Sequence, residues 1–457
     1  MVVLWWLIVF VLAAMPLAII DNVDYIITFT FYLHAIVIGF MCRVCMKDEA
    51  GAAFATVTTF ILMFFFVAPI FQLSEFEGYF INNYRPSTNQ IVVANFLLII
   101  FSFFFTGTYR KFNKNTFKPL VSVSAANSQN IFPMMVIFAI GAAAWAFSSI
   151  ELYSVATFED PTDVGSDIGL TIKHKLFFMI PFAALGFYLS KQKNNRNIFI
   201  LFMLIFLVLM TKNIIFDRRN ALGPVYLAIL FMFFWKENIS SKNVFMIVTP
   251  SILFIFPILS IFINNPIESW VDVFTLENVL IEIQGHFLDM HYDAWANFIA
   301  SLQYVETEGV RLGQQILGAL LFFVPRDIWA DKPIASGQML GEYLVLYYNL
   351  WFTNISFPLP AEGYVDFGIF GLILYAALLG YYSRRLDYFI NHGSFVDRTS
   401  ALYFTFYLLF VLRGSFLPAF AYGAGAYVAI NCLPAILSRL GLSTSRSVDS
   451  ERKALGS

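Results

Sequence analysis

The sequence predicts an all-α polytopic membrane protein with about 12 transmembrane helices and one large outer loop that contains amphipathic or re-entrant helices. Of its 457 residues, 59% are hydrophobic and only 13% are charged, whereas an average soluble chain has about 25% charged residues. Phe alone occurs 54 times, and the mean hydropathy is +0.72. This composition leaves too little polar surface for a water-soluble globule. The net charge of −2 also excludes a protein that binds nucleic acid through its overall charge.

The predicted spans are stretches of about 20 apolar residues, the length that a helix needs to cross the hydrocarbon core. They cover residues 2–20, 25–42, 52–72, 90–108, 131–150, 171–190, 197–213, 220–235, 243–264, 363–382, 399–417 and 419–438. Runs this long and uniformly apolar fit helices and not barrel strands. The first stretch has neither a basic start nor a small-residue cleavage site, so we expect a retained span.

The distribution of Lys and Arg predicts that both termini lie in the cytoplasm. With the N-terminus inside, the inner loops and the tail hold 18 of the 28 basic residues. The short outer loops are acidic instead, with Asp21, Asp24, Glu75 and Glu77 among them. The chain thus divides into helices 1–9 (1–264), a large outer loop (265–362), helices 10–12 (363–440) and a disordered tail (441–457).

The large outer loop is too long to be a simple connection, which favours a functional role. Residues 286–305 place apolar side chains at helical spacing and predict an amphipathic helix on the membrane surface. Residues 312–325 are apolar but too short to span, so we expect an interfacial or re-entrant segment, and 338–352 suggests another.

The predicted span centres carry almost no ionisable groups, and His34 is the main exception. A lone ring in an apolar helix is more often a packed residue than a ligand. This pattern argues against a proton- or sodium-coupled transporter, which needs ionisable groups or broken helices near the midplane. Cys42 and Cys45 form a C-x-x-C without a second pair or a nearby His, so we predict no metal or redox site there.

Basic residues on the predicted outer side require an explanation, because Lys and Arg are usually depleted there. Arg218 and Arg219 close a short outer loop, Arg413 ends the eleventh span, and Arg326 and Lys332 flank a turn. A guanidinium fork suits a phosphate or diphosphate, although pairing with outer acids is the alternative for each. The chain contains no Asp-x-Asp, Gly-rich phosphate loop, H-E-x-x-H or G-x-S-x-G motif. An enzyme with this topology would therefore use an activated substrate already anchored in the lipid, without a metal or other cofactor.

Two stretches, FFVPRDIWADKPIASG (322–337) and AEGYVDFGIFGLILYAALLG (361–380), resemble the Wzy-type O-antigen and oligosaccharide repeat-unit polymerases. Arg326 and Gly337 satisfy the R-x10-G spacing described for outer loops of that family. Further similarity lies in KHKLFFMIPFAALGFYLS (173–190), in FDRRNAL (216–222) and in the Arg-Gly at 413–414, so that it covers residues 170–415, about half the chain. A second R-x10-G is absent, which leaves both Arg218 and Arg219 as the matching arginine.

The resemblance implies a multi-pass enzyme of the bacterial inner membrane with a periplasmic active site. It would join undecaprenyl-diphosphate-linked oligosaccharides, working with a chain-length-determining co-polymerase. The residues expected to bind the diphosphate are Arg218, Arg219, Arg326, Lys332, Arg413 and Lys175. The first choice for the general base is Glu362, with Asp293 and His291 in reserve, and the alternative for Glu362 is a carboxylate favoured by the helix dipole. Trp295, Trp329 and Tyr364 are candidates for stacking on sugars, with interfacial anchoring as their alternative.

Two other functions stay open at this stage. An O-antigen ligase, which transfers glycan to lipid A core, has similar spans and a large outer loop. A multipass flippase or permease would move the polysaccharide precursor without chemistry.

Overall fold

The computed structural model describes residues 2–75, 80–112, 116–119, 128–148, 176–189, 197–212, 219–234, 239–255, 257–258 and 275–439. Within these ranges every regular element is a helix. The helices in chain order are α1 Val2–Ala14, α2 Tyr25–Met46, α3 Ala52–Glu75, α4 Thr88–Lys111, α5 Ser128–Ser148, α6 Ile180–Leu189, α7 Ile198–Thr211, α8 Arg219–Phe234, α9 Ser241–Ile255, α10 Leu276–Leu288, α11 Ala294–Glu308, α12 Gln314–Leu320, α13 Ser336–Tyr348, α14 Leu359–His392, α15 Phe395–Arg413 and α16 Phe416–Arg439.

The chain forms two compact units. Unit 1 comprises residues 1–115, 240–387 and 408–420, and unit 2 comprises 116–239, 388–407 and 421–457. In unit 2, α6 packs against α5, α7 and α8, and its residues are buried from end to end. Arg413, Asp293, Glu362 and Asp366, discussed below, belong to unit 1.

Several helices are long and apolar, as in a multi-pass membrane protein. By length and composition, α2, α3, α4, α14, α15 and α16 could each cross a membrane. The other predicted spans coincide with shorter apolar helices in the described part of the chain. Large apolar side chains point outward, including Ile36 at 70%, Phe199 at 80% and Phe370 at 85% exposure. Lipid is the solvent that suits such faces. The all-helical fold of the described residues is confirmed and is compatible with a polytopic membrane protein, while the twelve spans and the large periplasmic loop stay predictions.

Helix α3 is the central helix of unit 1, packed against α2 and α9 and buried over almost its whole length. Its first backbone N–H groups are satisfied by a distant side chain: Asp387 accepts from Ala53 N at 2.7 Å and Phe54 N at 3.4 Å. The Tyr109 hydroxyl donates to Asp387 at 2.7 Å and accepts from Gly51 N at 2.9 Å. A buried helix start needs such acceptors, so Asp387 ties α14 to α3 as an N-cap supplied by another helix.

Helix α14 is longer than predicted and is broken. It begins at Leu359 and continues to His392, beyond both ends of the predicted span 363–382. Phe367 and Gly368 leave the helical conformation, and Gly368 has a φ of +63°, which glycine adopts without strain. The backbones of Gly363 and Gly371 approach so closely that a Cβ on either would collide with the carbonyl of the other. The break therefore separates a short first part, 359–366, from the long remainder.

The outer-loop segments are helical, as predicted, but one is placed differently. The segment expected to lie on the membrane surface forms α11, and Ala294–Leu302 is buried on all sides of the helix. Helices α4 and α13 pack against it and cover the face that was expected to meet the headgroups. The polar residues on that face are short ones that bond within the protein, so α11 is a core helix of unit 1.

Candidate functional site

Arg413, at the end of α15, is a partly exposed guanidinium fixed by the outer loop. Its terminal nitrogen Nη2 donates to Asp293 Oδ1 at 3.1 Å and to the Met290 carbonyl at 3.2 Å. The side chain of Arg413 is 34% exposed, whereas that of Asp293 is 6% exposed. Arg413 Nε is buried and has no hydrogen-bond partner among the described residues. The guanidinium is thus held from one side and keeps donor capacity for an anion on the other.

Asp293 is held in turn by two further groups. Its second oxygen accepts from Asn297 Nδ2 at 2.9 Å and from Ser356 N at 3.0 Å. Asn297 also donates to the Ser356 carbonyl at 2.9 Å and accepts from Asn82 at 2.9 Å. Three segments distant in sequence therefore fix the carboxylate that faces Arg413.

Glu362 lies in the first turn of α14 and is fully buried. One oxygen accepts from Phe416 N at 2.6 Å and the other from the Ser336 hydroxyl at 2.7 Å. Beside it, Gly337 N donates to Ser415 Oγ at 2.8 Å. With both oxygens occupied, Glu362 joins the starts of α13 and α14 to the turn between α15 and α16, three residues after Arg413.

Asp366 is a further carboxylate, placed just before the break in α14. It accepts from Gln315 N at 3.1 Å, Ile316 N at 3.2 Å and the Tyr375 hydroxyl at 2.8 Å. Together with Glu362 and Asp387, it makes three buried carboxylates on α14. These carboxylates lie near or beyond the ends of the predicted span 363–382, so they do not alter the prediction that span centres carry almost no charge.

Arg326 and Lys332 bond to the backbone of their own turn. Lys332 Nζ donates to the carbonyls of Phe322 at 2.6 Å and Val324 at 2.8 Å, and Arg326 donates to the Lys332 carbonyl at 2.8 Å. Burial, together with the neighbouring charge of Arg326, lowers the pKa of Lys332. The turn after α12 is thereby fixed by the two basic side chains that were predicted to bind a diphosphate, and the structure does not bring either of them into the Arg413 cluster.

The other predicted site residues are spread over several environments. Trp295 is fully buried, donates to Asn95 at 3.0 Å and belongs to the core. Trp329 and Tyr364 are half-buried, and His291 is exposed two residues before Asp293. Arg219 begins α8. Lys175 and Arg218 lie outside the described residues, as does the side chain of Arg219.

The structure therefore brings together Arg413, Asp293 and Glu362, which lie far apart in sequence. Sequence reasoning missed Asn297, whose position four residues after Asp293 on one helix face was a usable signal. Ser336 and Ser356 gave no such signal, because only the tertiary fold places them beside the two carboxylates.

Comparison with known proteins adds no family assignment: no protein-family model, no curated protein and no solved structure matches this chain. Within the described ranges, no three His, Cys, Asp or Glu side chains are grouped as a metal site would require. The function is therefore argued from the residues around Arg413.

Proposed function

We propose that this protein polymerises undecaprenyl-diphosphate-linked oligosaccharide repeat units at the periplasmic face of the bacterial inner membrane. It is a metal-independent membrane glycosyltransferase that makes O-antigen or a related surface polysaccharide. The resemblance of residues 322–337 and 361–380 to the repeat-unit polymerases supports this proposal. A co-polymerase that sets chain length is its expected partner.

The observation that carries the proposal is the environment of the Arg413 guanidinium. A guanidinium that is 34% exposed, anchored by a nearly buried Asp293 and left with an unpartnered Nε, suits an anionic group. In the proposed reaction the bond between the anomeric carbon and the diphosphate oxygen breaks, and the lipid diphosphate leaves with the electron pair. Arg413 stabilises that charge as it develops in the transition state.

The acceptor is a sugar hydroxyl whose oxygen forms the new bond to the anomeric carbon, so its proton needs a base. Both oxygens of Glu362 accept hydrogen bonds within the protein, as do both oxygens of Asp293. His291, two residues before Asp293, is exposed, and an imidazole can take a proton near neutral pH. Because His291 is exposed whereas both carboxylates are buried, we assign proton acceptance to His291, and positioning to Asp293 and Glu362.

Arg413→Ala tests the assignment. Removing a preorganised donor costs on the order of 3 kcal/mol, or about 100-fold in rate. The measurement is extension of lipid-linked oligosaccharide by the purified protein in nanodiscs, together with glycan ladders from cells. We expect inserted protein, single repeat units in cells and partial recovery in Arg413→Lys.

Arg326→Ala is the matched comparison, because the Arg326 side chain bonds to the backbone of its own turn. The extension rate should fall less in Arg326→Ala than in Arg413→Ala. Full-length ladders from Arg413→Ala would remove Arg413 from the site. Attachment defects with free polymer would instead favour the ligase.

One observation favours the carrier as a second candidate. Helix α14 is broken at Phe367–Gly368, directly after the buried Asp366, and transporters place broken helices with buried charges at their binding sites. Purified wild-type protein that moves the lipid-linked precursor across vesicles but fails to extend it would establish transport in place of polymerisation.

A further inference from the structure

A cluster of five tyrosine rings lies on the outer-loop side of unit 1, away from the residues assigned above. Its members, hereafter the tyrosine cluster, are Tyr84, Tyr304, Tyr343, Tyr347 and Tyr348. Ring centroids are 4.9 Å apart for Tyr84 and Tyr348, 5.4 Å for Tyr304 and Tyr343, and 4.8 Å for Tyr343 and Tyr347. Tyr84, Tyr304 and Tyr343 are buried, while Tyr348 is half-buried and Tyr347 is 58% exposed. The buried rings therefore support two accessible ones.

Two planar amides are fixed against this cluster. The Tyr84 hydroxyl lies 2.9 Å from Gln90 Oε1 and 3.1 Å from Gln303 Oε1 and shares its one hydrogen between these acceptors, and Gln90 Nε2 donates to Gln303 Oε1 at 2.6 Å. Gln90 is itself held by the capping box that it forms with Ser87 at the start of α4. Gln303 is half-buried, and its Nε2 donors have no hydrogen-bond partner among the described residues. An amide with a fixed orientation and unused donors is thus presented beside exposed ring faces.

The charges around the tyrosine cluster are mixed. Glu306, Glu308 and Glu342 are exposed near it, as is Arg85. Arg311 is directed inward, with its guanidinium 5.3 Å from the centre of the Tyr304 ring and a hydrogen bond to the Tyr304 hydroxyl. Three exposed carboxylates and one exposed guanidinium disfavour an anionic ligand, and a neutral ligand is compatible with the surface.

We propose that the tyrosine cluster, with Gln303, is a binding surface for a neutral oligosaccharide. The C–H faces of sugar rings carry partial positive charge and pack on the negative faces of aromatic rings. Ring hydroxyls accept from and donate to planar amides such as that of Gln303. The assignment rests on the proposed function: the surface holds the sugars of a substrate whose diphosphate lies at Arg413. Gln303 lies about 15 Å from Asp293 in the direction of α11, at the helical rise of about 1.5 Å per residue, a separation that an oligosaccharide of several sugars would span.

Tyrosines also concentrate at membrane interfaces, where their rings meet lipid and their hydroxyls meet water. The tyrosine cluster differs because the Tyr84 hydroxyl is committed to two glutamines inside the protein. An interfacial anchor would affect insertion into the membrane and not binding of a sugar. The test therefore measures both insertion and binding.

The test uses the full chain in nanodiscs. The probe is the repeat-unit oligosaccharide released by mild acid from the lipid-linked precursor of the host, and binding is followed by saturation-transfer NMR and titration. We expect wild type and Tyr347→Phe to bind within about twofold of each other, because the ring face is kept. Tyr347→Ala and Gln303→Ala should each bind at least 10-fold more weakly. Tyr25→Ala is the matched control, since Tyr25 is 79% exposed at the start of α2, and it should bind like wild type.

Absence of binding by wild type, or equal binding by Tyr347→Ala and Gln303→Ala, overturns the proposal. Lower insertion of Tyr347→Ala with unchanged binding per inserted molecule also overturns it and assigns the ring to the membrane interface. A third outcome separates the two proposals. If wild type binds the oligosaccharide, both variants lose binding, and wild type does not extend the lipid-linked precursor, the polymerase assignment is wrong and the sugar-binding surface is supported.

Discussion

Arg413 shows how the properties of one side chain depend on residues far along the chain. Its charge is balanced by Asp293, and the carboxylate is oriented by Asn297 and Ser356. A nearly buried carboxylate that lost its cation would be left uncompensated, which costs more than the pair contributes when intact. The pair therefore fixes the position of the guanidinium more than it stabilises the fold.

Asp293→Asn should disturb Arg413 while leaving the fold in place. Ser356 N and Asn297 both need an acceptor, so the single Asn oxygen would face them and its NH2 group would face the guanidinium. We expect kcat for extension to fall about 10-fold, by roughly 1.4 kcal/mol, with little change in the unfolding temperature. The double variant Asp293→Asn/Arg413→Ala should be no slower than Arg413→Ala alone.

The control for this prediction is Asp397→Asn at the opposite end of α15, where the carboxylate accepts from Ser394 N at 3.1 Å and from Ser394 Oγ at 2.6 Å. That variant should stay within twofold of wild type. Fully additive losses in the double variant would show that Asp293 acts independently of Arg413.

Among the helices, α14 does most to position the site. Its broken start places Glu362 against Ser336 and Phe416, and its far end supplies Asp387 to the start of α3. Apolar length predicted that a helix exists here, but it did not predict the break. The break depends on the close approach of two backbones, at Gly363 and Gly371, and hydropathy carries no information about that approach.

Gly363→Ala is therefore expected to destabilise the protein, because its Cβ would meet the Gly371 carbonyl. Overpacking of this kind costs about 1–3 kcal/mol. The measurement is the unfolding temperature in detergent, followed by fluorescence-detected size exclusion. Gly107→Ala in α4 is the matched control: a Cβ there meets nothing within 4 Å, and removing a helix-interior glycine should be neutral or stabilise by up to about 1 kcal/mol. Equal unfolding temperatures for the two variants would rule out the close contact.

The molecule as a whole is organised by where its charges lie relative to the apolar helices. Inner loops rich in Lys and Arg and acidic outer loops predict a cytoplasmic location for both termini. The same rule predicts that Arg413, Asp293 and the tyrosine cluster lie on the outer side, where the proposed lipid-linked sugar donor would be available.

Reporter fusions test this topology. A green fluorescent protein fused to the C-terminus should fluoresce, and alkaline phosphatase fused there should be inactive. Alkaline phosphatase inserted at Gly309, an exposed residue between α11 and α12, should be active because the enzyme folds only in the periplasm. The opposite pattern at both positions would invert the topology and move the proposed site to the cytoplasm.

The sequence by itself determined the class of this protein. Apolar runs of span length can only be helices in lipid, since their backbone groups must be satisfied internally. The charge distribution predicts the outer position of Arg413, which the reporter fusions test. The tertiary structure decided which outer residues meet. Arg413 joins Asp293 and Glu362 joins Ser336, whereas Arg326 and Lys332 bond to their own turn. Arg413 and Asp293 are 120 residues apart and Glu362 and Ser336 are 26 apart, whereas Arg326 and Lys332 bond to backbone carbonyls of the turn that they occupy. None of these pairings leaves a periodic signal in the sequence.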